Sequence, residues 1–215
     1  MRKKYVGFYW TRPVPSVGFT SLPRDAEQAA QRSRTIRYQR QLANARVREF
    51  NGEMIDEIVF LEVEPDRGTE FIAEPLKRAF AVCKEHSATL LYVEFWEKSQ
   101  SRSHDYLLDL LPRISRASGV EALKLYPDVI QVDGQPFDPV RHFRSWDDRI
   151  REEAAARRDQ AHSAIRALAD EIPEGPGRYQ SISDELNRRG IPTLTSRKRP
   201  WTAENVRKFM SRKSI

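Results

Sequence analysis

The sequence predicts an α/β protein built from three successive parts: a parallel-sheet domain, a long connecting helix and a C-terminal pair of short helices. Before residue 140, short β-rich or apolar runs alternate with helical patterns, and strands separated by helices favour parallel pairing. A helical apolar pattern then runs from 142 to 171. The Pro and Gly residues of 173–177 separate it from two short amphipathic segments. The predicted boundaries are therefore 1–140, 141–172 and 173–215.

Within the first part, each predicted element follows from its residue pattern. Thr89 to Trp96 is a nearly continuous apolar run, which is typical of a strand buried inside a sheet. Asp25 to Asn51 is a long polar segment whose sparse apolar residues share one helical face. The full set of predicted strands is Tyr5 to Thr11, Met54 to Val63, Thr89 to Trp96 and one within Ala122 to Val132, and the predicted helices are Asp25 to Asn51, Pro75 to Glu85 and Tyr106 to Ile114.

The predicted long helix carries an apolar stripe along its whole length. The stripe residues recur at spacings of three and four, and they are Phe143, Trp146, Ile150, Ala154, Arg157, Ala161, Ile165, Leu168 and Ile172. At about 1.5 Å per residue, such a helix is long enough to leave one domain and reach another. The stripe is longer than one side of a small domain needs to cover. We therefore expect part of it to pack against a second copy, which gives a homodimer.

The C-terminal part predicts two short helices joined by a turn. Tyr179, Ile182 and Leu186 form one apolar face, and Gly190 follows as a stop that tolerates positive φ. Thr202 is placed to cap a second helix whose buried stripe is Val206, Phe209 and Met210. Two short helices of this kind describe a helix-turn-helix.

Positive charge is concentrated in this part of the chain. From residue 175 onward there are ten Lys or Arg against three Asp or Glu, which leaves 27 against 28 from the totals of 37 and 31. Cationic and hydrogen-bonding side chains on a helix pair suit phosphate neutralisation and base-edge contact in double-stranded DNA. The predicted DNA-binding residues are Arg188, Arg189, Thr193, Thr195, Arg197, Lys198, Arg199, Thr202, Asn205, Arg207 and Lys208. The alternative is a solvated basic end that only contacts an acidic protein partner.

Composition limits the function classes further. Apolar residues make up 39% and charged residues 32% of the 215 residues, which permits about two compact units and predicts a soluble, globular protein. A single cysteine, Cys83, excludes an intramolecular disulfide and fits a reducing compartment. The run after the basic start is too short for a secretory core, and no segment resembles a membrane span. We expect a cytoplasmic, nucleoid-associated protein.

Neither a metal nor a nucleotide cofactor is expected. The four histidines, His86, His104, His142 and His162, have no metal-ligand spacing with Cys83. The sequence also contains no glycine-rich phosphate loop.

The order of parts and one C-terminal string resemble the serine recombinases, the resolvase and invertase superfamily. Asp184 to Thr193, followed by Trp201 to Val206, is similar to the family's leucine-asparagine, glycine-isoleucine and tryptophan-threonine pattern. More loosely, Tyr9 to Arg12 looks like the family's first strand with its arginine. Gln39 falls where a glutamine opens the first long helix, and Leu90 to Arg102 looks like the strand and turn of the second catalytic cluster.

This resemblance implies attack of a serine hydroxyl on a DNA phosphodiester, with several guanidinium groups stabilising the charge that develops on phosphate. Arg12 matches the strand arginine, but Val14 stands where the serine is expected, so Ser16 is the nearest hydroxyl, ahead of Thr20 and Ser21. The second cluster corresponds to Glu97, Lys98 and, one place late, Arg102.

Two function classes follow from the resemblance. The first is an active site-specific recombinase, which binds DNA as a dimer and exchanges strands as a tetramer. The second is a recombinase-derived DNA-binding regulator or accessory factor that has lost strand cleavage.

Overall fold

The computed structural model describes residues 2–95, 103–194 and 199–211, and the chain divides into two compact units between Arg144 and Ser145. The predicted boundaries at 140/141 and 172/173 stay a prediction. Ala161, Ile165 and Leu168 of the long helix belong to the core of the second unit.

The first unit contains a four-stranded sheet in which every pairing is parallel. Its strands are β1 (Lys4–Thr11), β2 (Glu53–Leu61), β3 (Thr89–Val93) and β4 (Ala122–Leu125), in the order β2-β1-β3-β4. All residues of β1 from Tyr5 onward are buried, as a central strand covered on both faces requires. This confirms the predicted α/β class with a parallel sheet.

Among the described residues of this unit, the α-helices that accompany the sheet are α1 (Ala26–Arg32), α2 (Arg34–Glu49), α3 (Ala73–His86) and α4 (Asp105–Ser118). The prediction of one helix from Asp25 to Asn51 was wrong, because Ser33 interrupts it. Ser33 has extended backbone angles, with φ −128° and ψ 115°, and its hydroxyl accepts a hydrogen bond from the Ile36 amide at 3.3 Å. Serine competes for backbone amides in this way at helix starts, so it ends α1 and caps α2.

A small hairpin follows the sheet. The strands β5 (Ile130–Val132) and β6 (Gln135–Phe137) pair antiparallel around Asp133 and Gly134, whose φ values are 56° and 72°. A two-residue turn with positive φ at both positions matches the right-handed twist of the strands, and Asp-Gly is suited to it. The strand expected within Ala122 to Val132 is therefore two short strands, β4 in the sheet and β5 in the hairpin.

The long helix α5 (Pro139–Glu171) begins three residues before its predicted start at 142. Asp138 explains the difference, because its Oδ1 accepts a hydrogen bond from the Val140 amide at 2.9 Å. Proline at the first helical position suits a helix start, since it lacks the backbone N–H donor that would remain unpaired there.

The second unit adds α6 (Arg178–Arg188) and α7 (Ala203–Ser211) to the C-terminal half of α5. Its core draws on all three helices and the connection before α7, through Ala161, Ile165, Leu168, Ile182, Leu186, Trp201 and Val206. In the described part of the chain, no helix is long and apolar enough to cross a membrane.

Candidate functional site

The order of the strands marks one edge of the sheet. Successive crossovers place β2 on one side of β1 and β3 on the other, and the carboxyl ends of such neighbouring strands border the usual ligand crevice of an open α/β sheet. Arg12 follows β1, Glu62 follows β2, and His104 precedes α4. These three polar side chains are all buried.

Arg12 joins two loops to the end of β1. Its Nη1 donates to the carbonyl oxygen of Asp66 at 3.2 Å, and its Nη2 donates to the carbonyl oxygen of Ser103 at 2.8 Å. Its guanidinium carbon also lies 5.9 Å from the centre of the Trp10 ring. Arg12 as a phosphate ligand stays a prediction.

Glu62 and His104 form a buried hydrogen-bonded pair. The His104 Nε2 lies 2.6 Å from Glu62 Oε1, and the two side chains are 1% and 0% exposed. His104 Nδ1 accepts from the Leu107 amide at 3.2 Å and thereby caps α4. This bond assigns the proton to Nε2, which therefore donates to Glu62.

A third partner completes the environment of Glu62. The Thr69 hydroxyl donates to Glu62 Oε2 at 2.7 Å. Burial by itself raises the pKa of Glu62, but the hydrogen bonds from His104 and Thr69 outweigh burial and hold the pKa below its ordinary value. The Val63 amide also donates to Oε2, at 3.2 Å. Glu62 is therefore an ionised carboxylate that accepts hydrogen bonds from His104, Thr69 and the Val63 amide inside the protein.

Ser16 lies in a different environment. It is exposed within a short 3₁₀ helix, Pro15–Val17, and backbone hydrogen bonds between Val14 and Phe19 of 2.8 and 3.1 Å close the turn around it. The predicted nucleophile is thus presented to solvent, whereas Arg12 is buried. The other predicted catalytic residues, Glu97, Lys98 and Arg102, lie outside the described residues.

Sequence reasoning missed the roles of Gln39, Glu62 and His104. Gln39 is fully buried, and its side-chain amide donates to the Trp10 carbonyl at 2.7 Å while accepting from the Trp10 amide at 3.3 Å. It therefore fixes α2 to the end of β1. A signal for the pair was present, since a glutamate directly follows an apolar strand and a histidine directly precedes an amphipathic helix.

In the second unit, an asparagine clamps the connection between α6 and α7. Asn187 Nδ2 donates to the Trp201 carbonyl at 2.9 Å, and the Trp201 amide donates to Asn187 Oδ1 at 2.8 Å. The Trp201 indole also donates to the Ile191 carbonyl at 2.9 Å, and Gly190 takes a φ of 64°. Residues that carry the sequence resemblance thus hold the helix pair together.

Thr202 caps α7, as the sequence predicted. Its hydroxyl accepts from the Asn205 amide at 3.2 Å and donates to Asn205 Oδ1 at 2.7 Å. Two residues after Thr202, Glu204 pairs with Arg207 through two hydrogen bonds of 2.8 Å and with Lys208 at 3.3 Å.

Glu185 on α6 has a matching arrangement with Arg188 and Arg189, at nitrogen–oxygen distances of 2.5 and 2.6 Å. Hydrogen bonds from these arginines lower the pKa of Glu185 to about 2, and those of Arg207 and Lys208 lower the pKa of Glu204 to about 2. Arg188, Arg189, Asn205, Arg207 and Lys208 are all exposed.

The remaining predicted DNA contacts are distributed around the turn. Thr193 is half-buried and Arg199 is exposed, whereas Thr195, Arg197 and Lys198 lie outside the described residues. Across residues 2–95, 103–194 and 199–211, no group of three His, Cys, Asp or Glu side chains is arranged to hold a metal ion.

Comparisons of the chain with protein-family models, curated proteins and solved structures found no match.

Proposed function

We propose that this protein binds duplex DNA through α6 and α7, acting as a helix-turn-helix. The observation that carries the proposal is the clamp between Asn187 and Trp201, which fixes the start of α7 against the end of α6. In such a motif, the second helix enters the major groove and its first residues reach base edges. Here α7 is the second helix, and its exposed side includes Asn205, Arg207 and Lys208.

The charge around this pair supports contact with phosphate. Each glutamate, Glu185 and Glu204, pairs with two cations, so each group of three keeps a net positive charge. Exposed ion pairs contribute little free energy and are screened by salt. Each arginine carries five N–H donors, so phosphate oxygens can bind a guanidinium that stays paired with its glutamate.

The salt dependence of DNA affinity tests this proposal on the full-length chain. If about five or six cationic groups meet phosphate, the affinity falls by about three decades between 50 and 200 mM salt. Arg207→Ala should weaken binding and reduce the slope of this dependence. Arg113→Ala is the matched control, because Arg113 pairs with Asp109 on the surface of the first unit at a similar distance of 2.9 Å. A flat salt response, or an equal effect of both variants, contradicts the proposal.

A second candidate function is serine-mediated strand exchange. Two observations favour it besides the sequence resemblance: Arg12 lies at the carboxyl end of the central strand, and Ser16 is exposed four residues later. In this reaction the Ser16 oxygen bonds to phosphorus while the bond from phosphorus to a deoxyribose oxygen breaks, and the proton lost by Ser16 is balanced by the one that the leaving oxygen gains as a hydroxyl. The phosphoserine ester conserves the phosphodiester bond energy for rejoining.

This second function is tested by trapping a covalent protein–DNA adduct on the native DNA that flanks the gene for this protein. We expect Ser16→Ala to abolish the adduct while DNA affinity stays unchanged, with Ser145→Ala as the control at an exposed serine outside α6 and α7. An adduct that survives Ser16→Ala moves the nucleophile to Thr20 or Ser21. DNA binding without any adduct in the wild type leaves the noncatalytic regulator or accessory factor.

A further inference from the structure

We infer that Glu204 selects the DNA base read by α7, by accepting a hydrogen bond from the amino group of a cytosine in the major groove. The inference rests on the proposed DNA binding by the α6–α7 pair. It goes beyond DNA binding by naming the residue, Glu204, and the base, cytosine, on which sequence preference depends.

The position of Glu204 on α7 is the first observation. Val206 is fully buried, and Phe209 and Met210 pack against the same core. At 3.6 residues per turn, Glu204 and Lys208 both lie about 160° around the helix from Val206. They therefore occupy the middle of the face that is turned away from the core and available to a partner.

The charge of Glu204 is the second observation. A carboxylate in the middle of a DNA-facing surface is repelled by the phosphates, and the helix otherwise exposes Arg207 and Lys208 there. Among the base edges of the major groove, the cytosine N4 amino group is a donor to which glutamate and aspartate bind. An acidic side chain at this position therefore favours a cytosine and disfavours bases that present only acceptors.

The contacts of Glu204 hold the carboxylate ready for such a bond. Arg207 Nε and Nη2 each donate to one carboxylate oxygen at 2.8 Å, and Lys208 Nζ lies 3.3 Å from Oε1. Oε1 thus faces two donors and Oε2 faces one, so Oε2 has a second lone pair that can accept from a base. The two cations also offset the repulsion between this carboxylate and nearby phosphates.

Glu185 supplies a matched comparison within the same unit. It also pairs with two cations, Arg188 and Arg189, but it lies on α6. The first helix of a helix-turn-helix crosses the DNA backbone and does not enter the groove. Removing the charge of Glu185 should therefore change affinity for all sequences without changing base preference.

The experiment selects binding sites from a randomised duplex DNA pool with the full-length wild type, Glu204→Gln, Glu204→Ala and Glu185→Gln. We expect the wild-type sites to contain cytosine at one fixed position. Glu204→Gln should lose that preference by roughly tenfold and accept adenine there, because glutamine pairs with adenine N6 and N7. Glu204→Ala should lose the preference without gaining adenine, and Glu185→Gln should keep it.

The outcomes separate this inference from the function on which it rests. If the Glu204 and Glu185 variants bind all sequences more tightly but select the wild-type sites, the charge of Glu204 only weakens DNA binding and does not select a base. That result overturns the inference. If the wild type shows no salt-dependent DNA binding, the proposed function fails as well. Thermal unfolding of each variant verifies that the second unit remains folded.

Discussion

At the scale of single residues, Gly68 is placed against His104 so closely that no side chain fits between them. A Cβ atom at Gly68 would lie 2.5 Å from His104 Nδ1 and 2.7 Å from Cε1. The imidazole cannot easily move aside, because it bonds to Glu62 and to the Leu107 amide and packs edge-on against Trp10 at 4.9 Å. A glycine is therefore needed beside this buried pair.

Gly68→Ala should lower the free energy of unfolding by about 1–3 kcal/mol, which is the usual cost of overpacking a well-packed interior. Gly175→Ala is the matched control, since nothing lies within 4 Å of a Cβ at that position. Urea unfolding followed by tryptophan fluorescence measures both. Equal stability of the two variants would show that His104 is not held as tightly as its contacts indicate.

The pH dependence of stability should reveal the Glu62–His104 pair. The pKa of Glu62 is lower in the folded protein than in the unfolded chain, so the unfolded chain binds more protons between the two values. The stabilisation is therefore present above the ordinary glutamate pKa of 4.5 and is lost as the pH falls through the folded value. We expect Glu62→Gln to lose less unfolding free energy than the wild type between pH 7 and pH 4. The same loss in both proteins would contradict this role of Glu62.

At the scale of elements, the α6–α7 pair depends on a side chain that replaces missing backbone pairing. Asn187 bonds to both the amide and the carbonyl of Trp201, as a neighbouring strand would, although the two residues belong to a helix and to a connection. The Trp201 ring is 4% exposed, so the clamp also holds a large part of the core of the second unit.

Asn187→Ala should destabilise the second unit by about 1–3 kcal/mol, because the Trp201 amide and carbonyl lose their partner. Gln180→Ala on the same helix removes only an exposed bond to Asp184 and should change stability by less than about 0.5 kcal/mol. Thermal unfolding measures both changes. DNA affinity should fall only for Asn187→Ala, and an unchanged melting temperature for this variant would contradict the clamp.

Local patterns in the sequence predict the regular elements well because each depends on neighbouring residues. The buried run of β3, the cap at Thr202 and the apolar faces of α6 and α7 are all visible in the sequence. The break at Ser33 was missed although serine is a common helix cap. The β5–β6 turn was missed although Asp133 and Gly134 are a typical hairpin signal.

The candidate site is harder to predict because its contacts join distant parts of the chain. Glu62 and His104 are 42 positions apart, and Arg12 and Ser103 are 91 apart. Only the parallel order of the strands brings the ends of β1 and β2 to the same edge of the sheet. A sequence pattern can mark such residues as candidates, but their pairing follows from the topology.

At the scale of the whole molecule, the basic region and the buried polar side chains lie in different parts of the chain. The region from 175 onward carries a formal net charge of +7 against −1 for the rest of the chain, whereas the buried Arg12, Glu62 and His104 belong to the first unit. One helix, α5, contributes to both units, since Phe143 lies in the core of the first and Ala161 in the core of the second. The stretch between these two residues extends the apolar stripe beyond both cores.

That intervening stretch is where we expect a second copy to pack. Ala154 is half-buried and lies on the stripe, whereas the neighbouring Ala156 is exposed. Ala154→Asp places a charge in the expected dimer contact and should give a monomer, because an unpaired carboxylate is costly to bury. Ala156→Asp makes the same change on the exposed side of the same helix and should leave the dimer intact.

Sedimentation on and off DNA measures the oligomeric state of the wild type and both variants. In a dimer, two copies of α7 can occupy the two halves of a palindromic site, so binding depends on both half-sites together. We therefore expect Ala154→Asp to lose preference for the palindrome over a single half-site, while its salt dependence on one half-site stays close to that of the wild type. A wild type that is already monomeric in both conditions would assign the α5 stripe to intramolecular packing alone, and each copy would then read its half-site independently.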